Sequence, residues 1–190
     1  MDAITLLRDD HRQVLEMLDR LESAPTVAGG ASEEALRARK SLVTRLVIAE
    51  SRHEAIEEQY FWPMVRESVP GGAELAARAE DQEYAAKQVL DALGKAEPGQ
   101  SDFDEMAARI VRDGRRHIAF EQDEVWPKVV AAVDSSRLEE LGEKMAAAKD
   151  RAPTRPHPET PSSARVQKTL GRMAAVADRL RDTITGRGKR

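Results

Sequence analysis

Apolar residues recur every three or four positions along most of this chain, and the rhythm fails only in short stretches rich in proline or glycine. Ile4, Leu7, Val14, Leu15, Leu18 and Leu21 share one face at helical spacing, with His11 inside the stripe. That predicts a helix over about residues 2–22, with Asp2 as its N-cap. Residues 25–30 break it. Ser32-Glu-Glu-Ala then offers a cap and first-turn acids to a second helix, which passes Leu36, Val43, Leu46, Val47 and His53 and reaches about Trp62. Pro63 has no N–H for a helical bond and is expected to kink or end it. After the Pro70-Gly71-Gly72 turn, a third helix is expected over about residues 72–96. A fourth starts at Ser101 or Asp102, passes Phe103, Met106, Ile110, His117 and Phe120, and reaches Trp126, where Pro127 stands as Pro63 does. A shorter helix follows over about residues 135–149.

Long helices joined by short turns predict an all-α fold: an antiparallel, up-down four-helix bundle over residues 1–150. Residues 151–190 are read as an appendage. Four prolines between Arg151 and Pro161 suit an extended, semi-rigid connector. Val166, Leu170, Met173, Val176, Leu180 and Ile184 then predict an additional C-terminal helix over about residues 163–184. Composition agrees: Ala, Leu, Glu and Arg dominate, and aromatics are only 4%, which leaves few strand-favouring positions.

Charge divides the chain at the same place. Residues 151–190 hold 10 Lys/Arg against 3 Asp/Glu, a net +7, whereas the rest of the chain carries −11. Docking of the basic tail on its own acidic body is the favoured reading, and a protein partner for the tail is the alternative. Without interleaved aromatics the tail argues against nucleic acid. The first residues lack a basic stretch followed by an apolar run, and no segment reaches the roughly 18 apolar residues of a membrane span. The expectation is a cytoplasmic protein that does not engage membranes.

The chemistry lies in a repeat. His53-Glu-Ala-Ile-Glu57 and His117-Ile-Ala-Phe-Glu121 each place a His four residues before a Glu, and each runs on to Trp-Pro-x-Val. Residues i and i+4 share a helical face, so each pair presents an imidazole and a carboxylate together. A second offset, of 72, lays Asp9, His11, Leu18, Asp19 and Leu21 on Asp81, Glu83, Leu90, Asp91 and Leu93. Two related helix pairs would bring all of these groups to one point in the core. Burying carboxylates there without cations would cost several kcal/mol each. There is no cysteine, so thiolate-bound zinc and iron–sulfur clusters are excluded.

The pattern suits two iron ions a few ångströms apart, with Glu57 and Glu121 as bridges and His11, His53, His117 and Glu83 as terminal ligands. Gln82 and Tyr84 remain open for the Glu83 position, and Glu54 could add a further carboxylate. Glu54 and Glu58 otherwise read as solvated charges, and Asp9-Asp10 as residues favouring early turns of the first helix. Trp62 and Trp126 read as packing at the bundle end, and His157 in the connector is not expected to bind metal. No Ser–His–Asp set, P-loop or Gly-rich dinucleotide motif offers a competing site.

Asp10-His11, His53-x-x-x-Glu57-Glu58, His117-x-x-x-Glu121 and the two Trp-Pro pairs together resemble the hemerythrin-like, or HHE cation-binding, family over about residues 1–130. Ala152-Pro-Thr-Arg-Pro-His-Pro is similar to the C-terminal extension of actinobacterial members. The resemblance implies a four-helix bundle with a non-heme, oxo- or hydroxo-bridged diiron centre open to O2 or H2O2. Family members carry one or two histidines on the third helix, where this chain has Glu80-Asp-Gln-Glu83-Tyr84. A carboxylate in place of imidazole would stabilise the ferric state, which moves the expectation from reversible O2 carriage toward catalase-like peroxide decomposition. The alternative is an iron, oxygen or redox sensor, or an interaction module, with a structural metal site.

Overall fold

The computed structural model describes residues 1–158 and 172–185, and among them there are helices and turns but no strand. Helix α1 spans Ala3–Ser23, α2 Glu33–Ile56, α3 Trp62–Ser68, α4 Gly72–Lys95, α5 Phe103–Phe120, α6 Trp126–Ala132, α7 Ser135–Lys149 and α8 Arg172–Thr185. The predicted caps are in place: Asp2 accepts from the Thr5 N–H at 2.9 Å, and Ser32 Oγ from the Ala35 N–H at 3.2 Å. Helices α1, α2, α4 and α5 pack as a ring in which α1 meets α2 and α5, and α4 meets the same two. That is the expected four-helix bundle.

Neither proline ends its helix. Between α2 and α3, residues Glu57–Phe61 form a π-helical turn, called π1, and Glu121–Val125 form an equivalent turn, π2, between α5 and α6. The N–H of Trp62 bonds back to Glu57 O, and that of Trp126 to Glu121 O, each five residues earlier. A proline within a regular helix would clash with the carbonyl four residues before it and leave that carbonyl unbonded. One extra residue in the turn removes both problems, and the chain continues as α3 and α6 with proline in the first turn, where it is tolerated.

Two apolar clusters fill the bundle. One, containing Leu7, Ile56, Phe61, Trp62, Trp126, Val129 and Met145, lies where α3, α6 and α7 close the end. The other, containing Val14, Leu18, Leu46, Val47, Leu93 and Phe103, occupies the opposite end. A band of buried polar side chains separates them, at Asp10 and His11 on α1, His53 and Glu54 on α2, and Glu83 on α4. Glycine permits two tight passages. Gly71 has φ of 73°, which turns α3 into α4. At Gly142, a Cβ would fall far inside contact distance of the Met1 carbonyl, so only glycine lets α7 cross the start of α1.

A carboxylate ties α8 to the connector that precedes it. Asp178 on α8 is fully buried, and its Oδ2 accepts from the backbone N–H groups of Thr154 and Arg155 at 3.1 Å each. His157 Nε2 lies 3.0 Å from the same oxygen. The expected start of the last helix near Ser163 lies outside the described residues. No helix among those described is long and apolar enough to cross a membrane.

Candidate metal centre

The four long helices, with the π turns that follow α2 and α5, aim side chains into the polar band. His11, His53, Glu57 and Glu121 form one group in which a donor atom of each residue lies within 4.8 Å of every other. Glu57, Glu83, His117 and Glu121 form a second group under the same limit. Glu57 and Glu121 belong to both, and both are completely buried. All six residues singled out by the repeat are therefore brought together. The α1 and α4 donors correspond as well: His11 completes the first group where Glu83 completes the second.

Each HxxxE pair is closed by helical geometry. His53 Nε2 lies 3.2 Å from Glu57 Oε2, and His117 Nε2 lies 3.2 Å from Glu121 Oε1. From α1, His11 Nε2 reaches within 3.1 Å of Glu121 Oε2 and 3.2 Å of His53 Nε2. Despite this crowding, both oxygens of Glu57, both of Glu121, Glu83 Oε2 and His117 Nε2 are buried without an aligned hydrogen-bond partner. Buried carboxylate oxygens are rarely left so. A cation would satisfy them together, and the donor set of three imidazoles and three carboxylates suits first-row divalent or trivalent ions.

Electrostatics give the same result. Burial pushes the Glu57 carboxyl well above its ordinary range, and Glu121 and Glu83 push it further. Burial raises Glu83 to about 8. For Glu121, burial works in the same direction but His117 and His11 outweigh it and hold its carboxyl low. Burial lowers His11; it opposes the charge on His117 too, yet Glu121 and Glu83 raise that imidazole to about 9. The metal-free cluster thus retains protons near neutrality, where bound cations would displace them.

The three histidines are oriented from behind. His53 Nδ1 lies 3.4 Å from Asp10 Oδ2, His117 Nδ1 lies 3.1 Å from Gln82 Oε1, and His11 Nδ1 lies 3.2 Å from the Gln122 amide. At His53 and His117 the acceptor at Nδ1 keeps the proton there and turns the Nε2 lone pair inward, as a metal ligand requires, whereas the Gln122 amide nitrogen donates to His11 Nδ1. Asp10 was expected only to favour the first turns of α1, but it is buried and also pairs with Lys149. The offset of 72 that equates His11 with Glu83 also equates Asp10 with Gln82, so the signal for this pair was present in the repeat. Gln82 therefore touches a ligand-side histidine rather than the cluster itself, and Tyr84, 58% exposed, points away.

Two further expectations are corrected. Glu54 and Glu58 are buried, not solvated. Each follows a donor by one residue, and that 100° rotation points it toward α4 instead of the bundle axis. There Lys87 pairs with both, and connector residues Pro153, Pro156 and His157 share the same cleft. Burial raises Glu54 to about 8 in this setting, and Glu54 belongs to neither donor group. Trp62 and Trp126 do pack in the core, but they also touch the cluster. Trp62 Nε1 donates to Glu83 Oε1 at 2.7 Å, and Trp126 stacks on His11 with ring centroids 4.9 Å apart.

Comparison with known proteins supplies the family. The profile described as Hemerythrin HHE cation binding domain matches residues 2–129. The crystal structure of a hemerythrin HHE cation binding domain-containing protein from Mycobacterium kansasii superposes with a TM-score of 0.65 at 21% identity. That alignment covers 94% of this chain and 99% of the other, so the fold is shared along nearly the whole described length. None of the curated proteins matches the chain. The chain belongs to the hemerythrin HHE cation-binding family, and metal binding is the property its cluster is built for.

Proposed function

We propose that this member of the hemerythrin HHE cation-binding family holds two iron ions and uses them to decompose H2O2, or to react with O2. One observation carries the reading: two four-donor groups share Glu57 and Glu121, the arrangement in which two carboxylates each span a pair of cations. When bound, a pair of iron ions supplies the two-electron exchange that peroxide or O2 requires.

The chain's own residues have separable tasks. His11 and His53 would hold one ion, and His117 and Glu83 the other. Glu83 adds negative charge where its counterpart His11 is neutral, which favours the more oxidised ion and argues against reversible O2 carriage. Asp10 and Gln82 hold the Nδ1 protons of His53 and His117, keeping both rings fixed. The two flanking apolar clusters keep bulk water out. Beside the donors is a cavity of about 30 Å³ lined by His11, Glu50, His53, Glu83, Gly114 and His117. It has room for one peroxide or two waters and excludes larger substrates.

The test is iron loading followed by peroxide consumption. The expected result is two irons per chain, with turnover that disappears in Glu57→Ala. A second reading, a metal-dependent sensor, draws on the docking of the connector behind Glu54 and Glu58, next to the donors His53 and Glu57. Two bound irons with no loss of peroxide would favour it, and no iron would overturn both.

A further inference from the structure

A groove rimmed by cationic side chains lies on the outside of the bundle, between α1 and α2 and beside the end of α7. Its volume is about 320 Å³, and it is floored by Val14 and Met17 of α1 and by Ile48 and Ala49 of α2. Arg45, Arg52 and Lys149 rim it. Arg45 and Arg52 are seven residues apart, two helical turns or roughly 10 Å along α2, with Ile48 and Ala49 between them on the same face.

The two arginines lack what arginines in an acidic body ordinarily find. Residues 1–150 carry a net −11, yet among the described residues neither Arg45 nor Arg52 forms an ion pair or hydrogen bond with any side chain. Arg52 Nε is buried with no hydrogen-bond partner among the described residues. The acid in the groove, Asp10, is already engaged by Lys149 and His53. Arg52 is half-buried against the apolar floor and Arg45 is exposed at the rim; a planar guanidinium without a side-chain partner can take a carboxylate in bidentate fashion, and the groove volume is at the lower end of small-ligand sites.

We infer that this groove binds a small organic anion, whose carboxylate is taken by Arg52 and Arg45 and whose apolar body lies on Val14, Met17, Ile48 and Ala49. The inference stands on residues outside the metal cluster and does not depend on what that cluster does. Its consequence for the cluster is positional: the ligand would sit against Lys149 and Asp10, the pair that orients His53.

Benzoate and inorganic phosphate serve as probes, titrated calorimetrically into the metal-loaded full-length protein. Benzoate is expected to bind with a millimolar or tighter Kd, and to weaken at least tenfold in the Arg45→Ala/Arg52→Ala double variant. Far-UV circular dichroism and Tm verify that the variant is folded. Met17→Glu places an acid on the floor without touching either arginine, and is expected to weaken benzoate comparably. Benzoate binding that survives both changes would assign it to the metal ions and overturn the inference, as would no saturable heat by about 10 mM. Binding of phosphate but not benzoate would overturn it too, since the apolar floor would then contribute nothing. Metal content and peroxide turnover of the same samples report separately on the proposed diiron chemistry.

Discussion

Trp62 Nε1 donates to Glu83 Oε1 across 2.7 Å, which fixes one oxygen of that carboxylate and leaves the other, buried and without a partner, turned to the donors. The indole that ends π1 thereby orients the one donor by which this cluster departs from a histidine pattern. Trp62→Phe retains the apolar volume and removes the hydrogen bond. It is expected to weaken metal binding by about 10- to 100-fold, read by competitive chelator titration. Trp126→Phe, whose indole N–H has no partner among the described residues, is expected to change affinity far less.

Shared and unshared donors should differ in stoichiometry. Glu57 and Glu121 belong to both groups, Glu83 only to one. Metal analysis of Glu57→Ala or Glu121→Ala is expected to show loss of both ions. Glu83→Ala is expected to retain one. Equal loss in all three would mean that the groups do not fill separately.

Alkaline pH should weaken the metal-free protein. Glu83 is raised from an ordinary 4.5 to about 8, and His117 from 6.5 to about 9. Both shifts are upward, so each group's contribution to stability is complete below its unfolded value and is lost as the pH rises through its folded one. Tm of the metal-free chain is therefore expected to fall from about pH 4.5, through the loss of Glu83's contribution and then that of His117, to about pH 9. Cations replace the protons in the loaded protein, which is expected to melt at nearly constant temperature across that window. Differential scanning calorimetry of both forms is the check.

Gly142 is where α7 meets the first residues of α1, and a side chain there would meet the Met1 carbonyl. Gly142→Val is expected to destabilise by about 1–3 kcal/mol or more, visible in chemical denaturation. Gly99→Ala, at a position open on all sides, is the matched control and should be close to neutral.

Asp178 gathers two backbone N–H groups and His157. Asp178→Ala would leave buried donors unsatisfied and release the connector, at a local cost of about 1–3 kcal/mol. Limited proteolysis between residues 151 and 158 is expected to accelerate, while the Tm of the bundle changes little. An unchanged cleavage rate would show that the tail is held by other contacts.

The helices, their pairing and all six convergent donors were legible in the sequence because each rests on spacing: apolar residues every three or four positions, and HxxxE read twice. The π turns were not. Pro63 and Pro127 announce that a regular helix cannot pass, but not that one extra residue will carry it through. Glu54 and Glu58 look solvated because a charge on a helix usually is. Their burial depends on Lys87 from another helix and on a connector about 100 residues further along. Asp10 and Gln82 needed the 72-residue offset to be applied one position before the donors, where nothing in their residue types signals a partner. The cationic groove is less visible still, because an arginine's lack of an acidic neighbour is a fact of three dimensions.

The polar band divides the hydrophobic interior into two separate pieces, one at each end of the molecule. Either piece can hold its helices together by its own burial, whatever occupies the middle. Emptying the cluster should then slacken the waist and spare the ends: amide exchange would quicken first around residues 10–11, 53–57 and 117–121, while the overall helix content persisted. The ions would act as a keystone, set last into an arch that already stands.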